Sequence, residues 1–276
     1  MEIDKISSIG RPLDFNYKTN KAIVIITTIT IMFGFVLSIL KEFTIPNVIL
    51  SGVSFGITFF VSWAISREID PDNSISAFIG LIPLFIILFF WIETNIIILF
   101  WLLISLRIIN RTTGLPARIF DSGLLFVISV LMSYFYSPIF GLLSAIVFLF
   151  DAKLIDGQKF QLIFASLSLF LSIIFFTINN KVFVLPIFSM LQLLGILAIT
   201  IGFLFIPYYT KTVKSKGDQN DKPLSVSRIR AGQIFALFSV LLVSFFEFGI
   251  TAMIPVWCAL AGVITHRILL LFKKIG

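Results

Sequence analysis

Charge is scarce in this sequence: 13% of its 276 residues are Asp, Glu, Lys or Arg, where a soluble globular protein carries about 25%. With 58% hydrophobic residues, the chain has too little polar side chain to cover a core in water, which excludes an ordinary soluble domain. Cysteine is nearly absent too. Cys258 stands alone, so no intrachain disulfide can form. Histidine is also single, at His266, which excludes a zinc or haem site built from several His or Cys ligands. The segment from Met1 to Lys21 lacks an apolar core and a small-residue cleavage site, and it carries Glu2, Asp4 and Asp14. It does not read as a cleavable signal peptide, and the first apolar stretch is expected to be an uncleaved anchor.

Long apolar runs are plentiful. A helix crossing the hydrocarbon core needs about 20 mostly apolar residues. Such stretches are read at 21–40, 47–66, 74–92, 95–110, 119–136, 138–155, 160–178, 182–208, 231–247 and 252–272. The expected fold is all-α: a polytopic transmembrane helical bundle of about ten spans. Residues 1–20 form an N-terminal segment, 21–208 an eight-span bundle, 209–230 a basic linker and 231–276 a final two-span hairpin with a short tail. The linker contains Lys-Ser-Lys-Gly-Asp-Gln-Asn-Asp-Lys-Pro, lacks apolar periodicity and reads as a flexible tether.

The links alternate between very short and longer charged ones, which makes five helical hairpins with their tips on one side. Of the 21 Lys and Arg residues, only Lys41 and Lys181 fall on the tip side. Basic residues collect at the cytoplasmic face of a membrane protein, so both termini are expected in the cytoplasm, with the chain multi-pass in the cell membrane. The net charge of +7 is thereby a topological feature, and nucleic acid is not an expected partner. Reading 119–155 as one long helix would invert everything after it and divide the basic residues almost evenly. A break at Ser137–Pro138 is therefore expected, with the proline at a helix start.

No ionisable residue lies near the middle of any span, where charge is costly and usually functional. Gln192 is the most polar residue read at mid-depth. Glu93 and Glu247 fall near the outer ends, and Arg107, Asp121, Asp151, His266 and Arg267 near the inner ends. Arg107 is expected to snorkel to headgroups. Specific chemistry is therefore sought along the cytoplasmic rim. The link after the second span, Ser66-Arg67-Glu68-Ile69-Asp70-Pro71-Asp72-Asn73-Ser74, packs three acids and an Arg into a helix end. Asp72, Asn73 or Ser74 suits a helix cap. The link after the fourth holds Arg111 and Arg118 around Thr112, Thr113 and Gly114, which suits a phosphate or lipid headgroup. The link after the sixth runs from Asp151 to Lys159 through an Asp156-Gly157 turn.

Arg67, Asp70, Asp72, Arg111, Arg118, Asp151 and Asp156 are thus the candidate residues for a lipid phosphate or a metal. Carboxylates from two links could hold a magnesium ion that bridges to phosphate. This placement is similar in position to that of the intramembrane prenyltransferases, whose two aspartate-rich motifs lie on cytoplasmic loops after helices two and six. The aspartate spacing differs, so no catalytic residue is carried over. Ten spans, both ends inside and this length also look like the drug and metabolite transporter superfamily. Three functions follow: a magnesium-dependent enzyme or binding protein for a phosphorylated lipid or polyprenyl substrate, a small-solute transporter, or a membrane scaffold whose basic linker binds a partner or anionic lipid.

Overall fold

A computed structural model describes residues 7–11, 13–90, 95–179, 186–246 and 250–275. Glu2, Asp4, Lys5, Glu93, Lys181 and Glu247 lie outside the described residues. Among the described residues the chain forms ten α-helices and no β-strand. Six of the helices are long and apolar enough to cross a membrane. By contact the chain divides into two compact units: residues 1–11 with 101–249, and residues 12–100 with 250–276.

The second unit contains α1 (Lys18–Leu40), α2 (Ile45–Ile69), α3 (Ser74–Phe90) and α10 (Ile254–Ile275). In lipid, helices gain nothing by hiding Leu from hydrocarbon, so small residues that allow close backbone contact decide where they pack. Gly262 of α10 shows this: a Cβ there would sit 2.5 Å from the backbone nitrogen of Gly80 and 2.6 Å from the Ser76 carbonyl oxygen on α3. Ser62 of α2 donates to the carbonyl of Pro255 at 3.1 Å. The outer face of α1 exposes Ile25, Ile29, Met32, Val36 and Ile39. That three- and four-residue spacing forms one apolar stripe that is more than half exposed, as a lipid-facing helix requires.

The first unit contains most of α4 (Ile96–Asn110), then α5 (Ile119–Phe135), α6 (Ile139–Lys153), α7 (Gln161–Asn179), α8 (Met190–Tyr209) and α9 (Val226–Phe246). The expected break at Ser137–Pro138 is present, with α5 ending at Phe135 and α6 starting at Ile139. Within the unit α4 is enclosed by protein: Trp101, Leu102, Leu106 and Ile109 are all fully buried. The Trp101 Nε1–H donates to Ser144 Oγ at 2.9 Å, and Ser144 shares a hydrogen bond with Ser129 Oγ. One hydroxyl chain thus ties α4, α5 and α6 together inside an apolar core.

Two sequence expectations change. Gln192 is not at mid-depth. It occupies the first turn of α8, where its side chain accepts from the Ser189 backbone N–H at 2.8 Å and its own N–H donates to Ser189 Oγ at 3.3 Å. This Ser-x-x-Gln capping box satisfies two donors that a helix start leaves open. The linker after α8 is also no loose tether. Lys216 and Pro223 form an antiparallel bridge. Leu224 N–H donates to the Ser215 carbonyl at 3.0 Å and Gly217 N–H to the Lys222 carbonyl at 2.9 Å, so residues 215–224 make a short hairpin. Its tip docks on the link after α4, where Asn220 Nδ2 donates to the Gly114 carbonyl at 2.6 Å and Gln219 N–H to the Thr113 carbonyl at 2.9 Å. Gly114 has φ +87°, and a Cβ there would meet Asn220 at 2.2 Å. Only glycine suits both the left-handed backbone and the contact.

Candidate functional site

A helix end leaves carbonyl oxygens without intrahelical partners. Away from water these must find donors elsewhere. In the first unit α4 ends at Asn110, which is buried, and α6 at Lys153, which is exposed. Two arginines supply the donors. Arg228, in the first turn of α9, donates through Nη1 to the Ile109 carbonyl at 2.9 Å, and through Nε and Nη2 to the Ile155 carbonyl at 3.0 and 2.7 Å. Arg111, in the left-handed region at φ 52°, donates through Nη1 to the Asp156 carbonyl at 2.9 Å.

Both guanidiniums converge on Asp151, which is completely buried at the end of α6. Its Oδ1 accepts from Arg111 Nε at 2.9 Å and Arg228 Nη1 at 2.8 Å, and its Oδ2 accepts from Gln161 Nε2 at 3.1 Å. Arg111 Nη2 lies 2.7 Å from the same Oδ1, off the line of a hydrogen bond. One carboxylate faces two guanidiniums, and the excess positive charge rests on carbonyl oxygens at helix C-termini, where the helix dipole favours a cation.

In the second unit, Asp70 is buried at the end of α2. It accepts from Asn73 Nδ2 at 2.9 and 3.1 Å and from Arg267 Nη2 at 3.2 Å. Arg67 Nη1 donates to the Pro71 carbonyl at 3.1 Å, and Asp72 is exposed. Asn73, one of the expected caps, accepts from Ser76 Oγ at 2.6 Å through its carbonyl. Arg107 is drawn back into the first unit and donates to the Ile9 carbonyl at 3.1 Å.

The seven candidate residues therefore sort by what already holds them. Arg111 and Asp151 meet each other, and Asp156 joins through its backbone carbonyl while its side chain is exposed. Asp70 and Asp72 belong to the other unit. Magnesium takes carboxylate oxygens in an open octahedral set. The oxygens of Asp151 and Asp70 are taken up by arginine and amide donors, and among the described residues no group of three His, Cys, Asp or Glu side chains comes together to hold a metal. The arrangement does not fit a divalent cation.

Arg118 is differently placed. It precedes α5, and its backbone N–H donates to Asp121 Oδ2 at 3.0 Å. The same oxygen accepts from the backbone N–H and hydroxyl of Ser8 at 2.9 and 2.8 Å. Asp121 thus fixes the start of α5 through contacts to the backbone of Arg118 and to Ser8. The Arg118 side chain lines an open groove of about 590 Å³ with Gln158, Pro116, Ile119, Phe120 and Phe160. One cation and one amide stand among apolar side chains, and Ile119 and Phe120 are largely exposed.

Sequence reasoning missed Arg228, Gln161, Gln158 and Phe160. Arg228 had counted only toward topology, and its partner Asp151 is 77 residues away. No local pattern marks such a pair.

This architecture is that of a helical protein compatible with multi-pass insertion into a membrane: among the described residues there are ten helices, six of them long and apolar enough to cross, with apolar faces turned outward. Compared with protein-family models, with curated proteins and with solved structures, the chain matches none.

Proposed function

We propose that this protein crosses the cell membrane ten times with both ends in the cytoplasm, and that it binds a phosphorylated lipid in the groove between residues 115–120 and 158–160. The observation that carries the reading is the groove's composition. Arg118 offers a planar donor fork suited to phosphate oxygens, and Gln158 adds an amide donor. Pro116, Ile119, Phe120 and Phe160 offer apolar surface to the first carbons of a lipid chain. The Arg118 side chain borders the open groove.

The test uses the purified protein in nanodiscs containing a photoactivatable phosphatidic acid, with crosslinked peptides mapped by mass spectrometry. Crosslinks should concentrate on 115–120 and 158–160 and fall several-fold in Arg118→Ala. That variant keeps the backbone N–H that caps α5, so its fold should persist. Crosslinks spread evenly over the outward-facing helices, or unchanged by Arg118→Ala, would refute the reading.

A further inference from the structure

We propose that the hairpin after α8 is a docking surface for anionic phospholipid headgroups of the leaflet from which it emerges. This interaction is separate from the groove at Arg118 and rests on different residues.

The placement begins with α8. It is 20 residues long with a mean hydropathy of 2.2 over its most apolar window, of which only 17% is buried. Lipid therefore surrounds most of it. Its last turn exposes Tyr208 and Tyr209. Tyrosines in such a position sit at headgroup level, with the ring in the apolar boundary and the hydroxyl in water. Lys211 follows two residues later and is exposed, as are Lys216 and Lys222 on the two arms of the hairpin. The chain leaves the helix at headgroup level and presents lysine at the second residue after it, ahead of the hairpin.

The hairpin's own bonds and its docked tip hold Lys216 and Lys222 in place. Binding would therefore not have to order a loose chain. The acids are arranged to interfere little. Asp218 is paired with Arg11 through Nε and Nη2, and Asp221 is an exposed acid in a segment with four exposed lysines, Lys211, Lys214, Lys216 and Lys222. Lysine is the fitting residue for this partner, because its compact charge on a flexible stem follows mobile headgroups. An anionic leaflet attracts each nearby lysine by about fivefold in binding. The attraction decays over a Debye length of about 10 Å at 0.1 M salt.

The experiment compares spin-labelled phosphatidylglycerol with spin-labelled phosphatidylcholine as boundary lipids of the full protein reconstituted in phosphatidylcholine vesicles. The parent should prefer phosphatidylglycerol several-fold, and the preference should shrink as salt rises. A Lys211→Gln, Lys216→Gln, Lys222→Gln triple variant should bring the ratio close to one. The matching Lys→Arg triple variant should retain it, and so should Arg118→Ala. All three lysines are exposed, so the Gln variant should keep its helical circular dichroism. A Gln triple variant that still prefers phosphatidylglycerol like the parent would overturn the proposal. So would a parent with no preference, and so would a preference lost equally in Arg118→Ala, which would assign it to the groove.

Discussion

Asp151→Asn is the sharpest test of how the first unit is held together. Asparagine has nearly the volume of aspartate, so it opens no cavity, but it removes the one negative charge between two guanidiniums. Breaking a buried ion pair by neutralising one partner costs about 3–5 kcal/mol, because the remaining charge is left uncompensated. Here part of the remaining charge stays compensated: Arg228 keeps the Ile109 and Ile155 carbonyls and Arg111 keeps the Asp156 carbonyl. The lower end, about 3 kcal/mol, is therefore expected. In a domain of this size each kcal/mol shifts the melting temperature by about 2–4 °C, which makes the expected drop about 6–12 °C. Thermal unfolding of the detergent-solubilised protein, followed by circular dichroism, reads it. Arg228→Met should be costly too, because it orphans two carbonyls. The double variant should lose at least about 1 kcal/mol less than the two single losses combined, since contacting residues couple. An Asp151→Asn protein within about 0.5 kcal/mol of the parent, the range of an ordinary surface change, would show that the cluster contributes no net stability.

Glycines give a contrast within one molecule. Gly262→Leu must push α10 off the backbone of α3 and should lower the melting temperature by many degrees. Gly195→Ala on α8 meets nothing within 4 Å and should leave stability equal or raise it by up to about 1 kcal/mol; equal effects at both sites would contradict the packing described. Gly114→Ala forces an L-residue into a left-handed backbone at a cost of about 1–2 kcal/mol and collides with Asn220. Hydrogen exchange should quicken in residues 215–224 while the helices stay protected, and unchanged exchange there would argue against a docked hairpin. Ser189→Ala removes the side-chain half of the α8 cap and should cost about 1 kcal/mol, visible as faster exchange confined to the first turn of that helix.

The parts of the fold legible in the sequence are those set by local composition. Apolar runs mark the helices because each must satisfy its own backbone in lipid. The α5–α6 break was legible because a proline and the distribution of lysine and arginine agreed on it. The start of α8 was misplaced because hydropathy outweighed a capping box that stands plainly in Ser189 to Gln192. The hairpin after α8 read as loose because its order comes from backbone bonds across the bridge and to Thr113 and Gly114, about a hundred residues away, which leave no periodicity in the side chains. Arg111, Asp151 and Arg228 form one ion-paired group. Their pairing was not legible, because Arg111, Asp151 and Arg228 come from three different helix ends. A tertiary contact of that kind has no spacing rule.

The short helices give the rim arginines their physical purpose. At 1.5 Å per residue, the 15 residues of α4 and of α6 extend about 22 Å, less than the roughly 30 Å of a bilayer's hydrocarbon core. A helix that ends short in lipid would strand its last carbonyls where no water can reach them. Here the end of α4 is buried in protein, and donors for the carbonyls at the end of α4 and just after α6 arrive from arginines. Arg228 reaches the ends of α4 and α6 at once, and Arg111 closes the turn after α6. Each arginine needs a counter-charge, and Asp151 supplies it to both. The Arg111–Asp151–Arg228 cluster therefore answers the need to satisfy carbonyls at the ends of short helices. Groups that could recognise a ligand are to be sought among rim residues whose side chains border open space, and Arg118 in its groove is the first of them.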